Sequence, residues 1–404
     1  MSMTVLNLPQ LLNPTFWSYV SEGTANLCVR YQGPELAYDI QRRYAEEIIR
    51  PLLGPSVVPP SLLVRVHHDF LQELGAIILP QRPVHRRNQD ILTSQAHATL
   101  MPDLIMLSAD PSLSLEIKPK WGFIPRSRNI TEDRIIKRSI CRHCLKTRCP
   151  PEGKSPTSSY CPMDLYSGDP VRILRGLTSL SADPPSNRLV FFRDGRVIAL
   201  CHSVLPSTFP LGKLTASLAW SIIWDAMTTA LAACPFLSHL KRHQERLYGL
   251  SIEGALALYE DPAAAKAAKN AWGSMDAWKE ALNAYLSRDP SKDDELLSKM
   301  DHIQTKVHRL LQQCMAATLQ DLSIMITLHP GPLPSASLQG LFPSTYIPIL
   351  THLDTHELEW HCRVSAIDLD PKPVTRIPHW DDLDRKIALS ATVNSPTFSC
   401  TPSS

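Results

Sequence analysis

Apolar residues recur at two distinct periods along this chain, and each period predicts an element. Leu296, Met300, Ile303, Val307, Leu310 and Cys314 return every third or fourth position, the spacing of one helix face. That helix is expected to end near Gln320-Asp321, and Ile324–Leu328 then reads as a buried strand. Ser112–Lys118 alternates apolar and polar at period two, which predicts a strand; Pro119 stops its ladder and Trp121-Gly122-Phe123 follows in a loop. Asp39–Arg50 has helical spacing, with Ile40, Tyr44, Ile48 and Ile49 near one face and Pro51 expected to end it. Asp169–Leu180 predicts a short helix, and Leu189–Ala199 a hairpin turning at Asp194-Gly195. His361–Ile367 reads as a late strand that delivers Asp368, and 216–319 as predominantly helical. The Ser/Thr/Pro-rich end, 391–404, is expected to be a frayed, disordered tail. The order is a strand–helix lobe over 1–110, then a larger lobe over 111–390 with a helical stretch at about 213–320. This is an α/β (α+β) chain, and no internal repeat is visible.

Composition narrows the class. Of 404 residues 44% are hydrophobic and 20% charged, which excludes a disordered chain. Thirty-five prolines against fifteen glycines imply stiff, extended connections and exclude a Gly-rich repeat. The most apolar stretch, Leu214–Leu237, contains Asp225 and Pro235 and reads as a buried helix rather than a membrane span. The N-terminal segment lacks the basic region and small-residue cleavage site of a secretory signal. Ten cysteines at this length are no disulfide scaffold, so a reducing compartment with free or metal-bound thiols is expected. Net charge is +2 overall, yet Lys118–Arg148 holds ten Lys/Arg opposed by Glu132 and Asp133 alone, a surplus of eight in 31 residues. Such concentration means a local anion site or a solvated basic face.

Several patterns can carry chemistry. Lys118 and Lys120, two apart on an extended segment, share a face and repel unless an anion lies between them, although edge-strand lysines give the same pattern. Asp368 and Asp370 share a face at a strand end and suit a hard cation such as Mg²⁺, with Lys372 and Arg376 following; a polar turn is the alternative. Asp321, between a helix and a strand, is a buried base or a simple cap. Asp169 is placed to cap a helix carrying Arg172 and Arg175, a combination that suits phosphate. Cys141 and Cys144, with Cys149 and Cys161 downstream, contain one Cys-x2-Cys half of a zinc site, but the second spacing is irregular and reduced thiols are the simpler reading.

Taken in order, Glu116-Ile117-Lys118-Pro119-Lys120-Trp121-Gly122-Phe123, Cys141-Arg142-His143-Cys144, Tyr160–Gly168, Asp321-x-Ser323-Ile324-Met325-Ile326 and Asp368-Leu369-Asp370-Pro371-Lys372-Pro373 resemble the inositol-pentakisphosphate 2-kinase family. The resemblance implies a two-lobed, kinase-like α/β fold with the nucleotide between lobes. It implies transfer of the ATP γ-phosphate to the 2-hydroxyl of inositol 1,3,4,5,6-pentakisphosphate, with ATP and Mg²⁺ required. By motif, Gly23, Thr24, Ala25 and Asn26 resemble its nucleotide loop, with Arg82, Asp103 and Lys118 as further nucleotide contacts. Asp321 resembles the base beside the 2-hydroxyl, aided by Lys118, and Asp368 the metal-binding acid, with Asp370 beside it. Lys120, Arg142, Lys146, Asp169, Arg172, Lys372 and Arg376 resemble inositol-phosphate contacts. Segment 31–43 departs from the family pattern, having Gln32-Gly33-Pro34-Glu35-Leu36 where a lysine is usual. The implied partner is inositol pentakisphosphate, with no nucleic acid required, no membrane and a monomeric state expected, and the resemblance permits nuclear or cytoplasmic placement. The alternatives are a catalytically weakened module that binds inositol polyphosphate and a zinc-stabilised nucleic-acid binder; the latter lacks aromatics interleaved with its basic stretch.

Overall fold

The computed structural model describes residues 17–22, 27–31, 43–84, 87–88, 97–105, 112–150, 153, 155–198, 216–289, 302–331, 347–353, 356–393 and 398–400. The first elements are a hairpin of β1 (Trp17–Glu22) and β2 (Leu27–Tyr31), and the antiparallel pair β3 (Leu62–Arg65) and β4 (His97–Leu100). Between them runs a π-helical turn, Ala45–Ile49, which passes directly into α1 (Arg50–Leu53). Pro51 therefore does not end that helix. The helix runs two residues past it, to Leu53. Helix α2 spans His68–Ile78.

The central sheet is antiparallel, of six strands. It is built from β5 (Leu113–Ile117), β6 (Val190–Arg193), β7 (Arg196–Ile198), β8 (Ser323–Pro330), β9 (Ile347–Leu353) and β10 (His356–Ile367), in the order β7-β6-β5-β8-β10-β9. Its β6–β7 hairpin turns at Asp194-Gly195, both at positive φ, as the sequence predicts. Short helices α3 (Arg142–Arg148), α4 (Pro162–Leu165), α5 (Pro170–Ser181) and α6 (Pro184–Asn187) lie between β5 and β6. The long helical run comprises α7 (Ala216–Ala233), α8 (Phe236–Leu247), α9 (Ser251–Tyr259), α10 (Pro262–Trp272), α11 (Met275–Leu286) and α12 (Ile303–Asp321); α13 (Ile377–Val393) follows the sheet.

Helix α12 is the core helix. Leu310, Leu311, Cys314, Met315, Ala316 and Leu319 are fully buried, on more than one face, because α8, α9, α10 and α11 all pack around it. Burial of each such leucine contributes roughly 1.5–3 kcal/mol. Among its buried polar groups, the Gln312 amide donates to the Ala281 carbonyl at 2.9 Å. Tyr44, Ile48, Ile49, Leu52, Leu53, Val57 and Val58 belong to this same hydrophobic cluster, and Ala366 N–H of β10 donates to the Val57 carbonyl at 2.9 Å. Residues 44–58, expected in the first lobe, thus pack with the helices that follow residue 216.

Helix α7 is mostly buried, Trp220, Ile223, Ala226, Met227 and Ala230 among its core residues. Among the described residues no single helix is long and apolar enough to cross a membrane; Leu218–Ala233 and Phe236–Leu247 reach that composition only together, across a 56° bend. The chain end is not wholly frayed. Helix α13 continues to Val393, and Cys400 N–H and Ser399 Oγ both donate to the Ser139 carbonyl, at 3.1 and 3.0 Å. The compositional bias of 391–404 hid this docking because it rests on two apolar side chains, Phe398 and Cys400, not on a periodic pattern.

Candidate active site

Strand register assembles the site. Ile117 of β5 pairs with Ile324 of β8, and Ser323 of β8 pairs with Ile367 of β10. Each strand has its functional residue just beyond or at that edge: Lys118 after β5, Asp321 at the end of α12 before β8, and Asp368 after β10. Residues some 200 positions apart thereby become neighbours.

The Lys118 ammonium lies 2.6 Å from Asp368 Oδ2 and donates to the Asp321 carbonyl at 2.7 Å. The second contact satisfies one of the carbonyls left free at the C-terminus of α12 and places a cation at the negative end of the helix. Lys372 Nζ donates to Asp321 Oδ2 at 2.9 Å. Ser323 Oγ lies between two carboxylates, 2.8 Å from Glu116 Oε1 and 3.0 Å from Asp368 Oδ2. The result is a compact alternation of charge: Lys372, Asp321, Lys118, Asp368, then Ser323 and Glu116.

The electrostatics follow from burial and neighbours. Burial pushes Asp321 up, but the bond from Lys372 and the charges of Lys372, Lys118 and Lys120 outweigh it and hold the carboxylate below its usual range. Burial raises Glu116, partly offset by its bond with Ser323. Lys120 is drawn down to about 8, first by burial and then by Lys118, with Arg188 and Lys146 adding smaller repulsions against the pull of Asp321. A cation so disfavoured gains most when a polyanion arrives. Lys120 (φ 64°) and Asp368 (φ 62°) both hold left-handed backbone that non-glycine residues rarely adopt, a strain common where side chains are aimed at a ligand.

The remaining expected residues fall at different places. Lys146 is on α3 and acts on Lys120 electrostatically. Arg142 opens α3, with its guanidinium 4.9 Å from the Trp121 ring centroid and its Nε donating to Asp384 at 3.1 Å. Asp169 caps α5, accepting from Val171 N–H at 3.0 Å. Arg172 donates to Asp164 Oδ1 at 3.1 Å and to the Met163 carbonyl at 3.0 Å. The Asp370 carbonyl accepts from Thr318 Oγ1 at 2.9 Å, and Arg376 closes a short 3-10 turn before α13. Arg82 is buried after α2, and Asp103 caps its own turn, accepting from Ile105 N–H at 3.0 Å. Gly23, Thr24, Ala25 and Asn26 lie outside the described residues, as does 32–42 of the atypical segment.

The basic stretch is divided. Arg134 and Lys137 are buried in ion pairs with Asp381, Glu253 and Asp384, and Arg138 donates to the Ser127 carbonyl at 3.1 Å. Arg148 donates to the Ser159 carbonyl and stacks over Phe398. These cations are engaged within the fold, whereas Lys118 and Lys120 lie at the site, Lys146 acts on Lys120, and Arg126 and Arg128 are exposed. Glu116 and Ser323, bonded to each other at the site, and Arg188, held in the αL conformation at the end of α6 and acting on Lys120 electrostatically, are absent from the residues expected from sequence. Glu116 and Ser323 both stand inside the motifs quoted above, and that position was the available signal.

The cysteines regroup. The sulfurs of Cys141, Cys144, Cys161 and Cys400 all lie within 4.8 Å of one another, and Cys144 N–H donates to Cys141 Sγ at 3.4 Å. Cys149 is buried in the surrounding apolar cluster, outside that group of sulfurs. Cys400 replaces it because Ser139 anchors the chain end beside Cys141.

Carboxylates that suit a divalent cation, flanked by lysines that suit phosphate, on an antiparallel sheet backed by helices, define a phosphotransferase-type site. The family model for inositol-pentakisphosphate 2-kinase matches residues 34–386. The chain belongs to the inositol-pentakisphosphate 2-kinase family, and so is a kinase. It is 27% identical over 369 residues to an inositol-pentakisphosphate 2-kinase of rice (Oryza sativa), covering 86% of this chain and 77% of the rice protein. It is 24% identical over 412 residues to the protein of that name from Cryptococcus neoformans, covering 93% and 92% of the two. A zebrafish (Danio rerio) protein of that name is 33% identical over 166 residues, 39% of this chain and 34% of the relative.

Proposed function

We propose that this kinase transfers the γ-phosphoryl group of ATP to the 2-hydroxyl of inositol 1,3,4,5,6-pentakisphosphate, giving inositol hexakisphosphate and ADP. The observation that carries this is the paired arrangement Lys118–Asp368 and Lys372–Asp321 at one sheet edge. In the reaction the 2-hydroxyl oxygen forms a bond to the γ-phosphorus as the bond to the β–γ bridging oxygen breaks. Asp321 accepts the hydroxyl proton. Lys118 neutralises charge on the transferred group, while Lys120, Lys372, Lys146 and Arg188 receive substrate phosphates. Asp368, with Glu116 behind it through Ser323, would hold Mg²⁺, which supplies charge neutralisation on the nucleotide phosphates. Catalysis is then chiefly positioning and charge stabilisation. Before substrate arrives, Lys372 and Lys118 are bound to the acids; phosphate oxygens compete for both lysines and free the carboxylates. Incubation with ATP, Mg²⁺ and inositol pentakisphosphate, with separation by charge, tests the reading. A more anionic product, lost on Asp321→Asn while inositol-phosphate binding persists, is expected; binding without turnover in the unsubstituted chain would instead support the binding module.

We infer as well that Cys141, Cys144, Cys161 and Cys400 hold a structural Zn²⁺. At a Zn–S distance of about 2.3 Å, a tetrahedral site sets sulfurs about 3.8 Å apart, so the observed group needs only a small contraction. Four thiols would lose four protons to solvent on binding. Metal analysis of the purified chain is expected to find one zinc per molecule, lost with Cys400→Ser; full zinc retention in that variant would refute the assignment.

A further inference from the structure

We propose that Gln244 is a positioning residue that locks the loop 118–123 to the last turn of α12, and so sets Lys120 relative to Asp321. The functional consequence rests on the reading of the site given above. Gln244 is on α8, fully buried, and outside every motif of the sequence. A carboxamide has one acceptor oxygen and two N–H donors, and here all are used. Its oxygen accepts from Gly122 N–H at 2.8 Å; its nitrogen donates to the Leu319 carbonyl at 2.8 Å and to the Lys120 carbonyl at 3.1 Å. The orientation is forced, because a backbone N–H can only donate and a carbonyl can only accept.

Each contact solves a local problem. Leu319 lies in the last turn of α12, where carbonyls lack intrahelical partners. Lys118 terminates that turn from the loop, through the Asp321 carbonyl, and Gln244 terminates it from α8. Lys120 holds a positive φ of 64°, a conformation that persists only where its surroundings fix it. Its carbonyl is fixed by two donors, Gln244 and the Tyr166 hydroxyl, the latter at 3.1 Å. Gly122 completes the clamp: a Cβ there would meet the Tyr166 ring at 2.6 Å, so the backbone lies flat on the ring while its N–H reaches Gln244. One side chain thus bridges the loop carrying two phosphate-binding lysines and the helix end carrying the base. Gln244 touches no reacting group; it acts through Lys120 and Asp321.

The test uses the full chain with Gln244→Glu and Gln244→Leu. The glutamate keeps shape and acceptor but turns an oxygen toward two carbonyls; the leucine removes every bond of the carboxamide, including a longer one to the Tyr166 hydroxyl at 3.4 Å. Amide hydrogen exchange over 118–123 and separate Michaelis constants for inositol pentakisphosphate and ATP are measured. Loss of buried hydrogen bonds of this kind corresponds to about tenfold or more, and that is the expected acceleration of exchange at Gly122 and rise in KM for the inositol phosphate. KM for ATP is expected to change less than twofold. Unchanged protection at Gly122, or both Michaelis constants rising together, would overturn the proposal. If Gln244→Leu fails to fold, Gln244→Glu decides through the two Michaelis constants, because its carboxylate still accepts from Gly122 N–H while the donations to Lys120 and Leu319 are lost. If the unsubstituted chain phosphorylates no inositol phosphate, the function reading fails, and the exchange measurement still decides the clamp.

Discussion

Asp384→Asn tests whether the buried charges behind the site behave as one unit. Arg134 and Lys137, on the 3-10 turn Glu132–Arg138, meet Asp381 and Asp384 of α13 and Glu253 of α9, with Arg142 at the edge. Arg134 lies 2.5 Å from Asp381, Lys137 2.5 Å from Asp384 and 2.8 Å from Glu253, and Arg142 3.1 Å from Asp384. Three cations face three anions, and Lys137 and Asp384 are each only 3% exposed. Replacing Asp384 by the neutral, nearly isosteric Asn leaves one cation in excess where water scarcely reaches. Breaking a buried pair in this way costs about 3–5 kcal/mol, against a total stability of about 5–15 kcal/mol for a typical domain. Lys137→Met with Asp384→Leu removes one charge of each sign and leaves two of each. The double variant is therefore expected to be more stable than Asp384→Asn alone, although it deletes more contacts. The assay is urea unfolding followed by tryptophan fluorescence, with midpoints compared at constant slope. A loss below about 1 kcal/mol for Asp384→Asn, or a double variant whose loss equals the sum of the single ones, would refute the argument from excess buried charge.

Two further predictions concern pH. Lys120 is held down to about 8 and must be an ammonium to bind phosphate, so kcat/KM for inositol pentakisphosphate should fall as pH rises through about 8; Lys120→Arg should abolish that limb because a guanidinium stays charged. An unmoved limb in Lys120→Arg would assign the titration elsewhere. Asp321 must be ionised to accept a proton, so activity is lost as pH falls through its lowered pKa. Lys372→Met removes the main opponent of its burial and should shift the acid limb of kcat/KM, which reports the free enzyme where the two are paired, to higher pH; a limb that stays in place would show that Lys372 does not tune the base.

Much of the architecture was legible in the residues themselves. Alternation fixed β5, the Asp-Gly turn fixed the β6–β7 hairpin, and a repeat of three and four fixed α12, because each is a one-dimensional signature of a local face. The motif order also placed Lys118, Asp321 and Asp368 among the candidates. What the sequence left open was which distant groups meet. Sheet pairing brings β5, β8 and β10 side by side, and that register alone sets Lys118 against Asp368 and Ser323 between two carboxylates. The same holds for Pro51, absorbed into a helix by the π-turn before it, and for a basic stretch half used in internal ion pairs. Cys400 joins Cys141, Cys144 and Cys161 across the whole chain, while the nearer Cys149 does not, and Gln244 reaches the loop from a helix with no motif of its own. Such partners are chosen by packing in three dimensions, where separation along the chain has no bearing on distance.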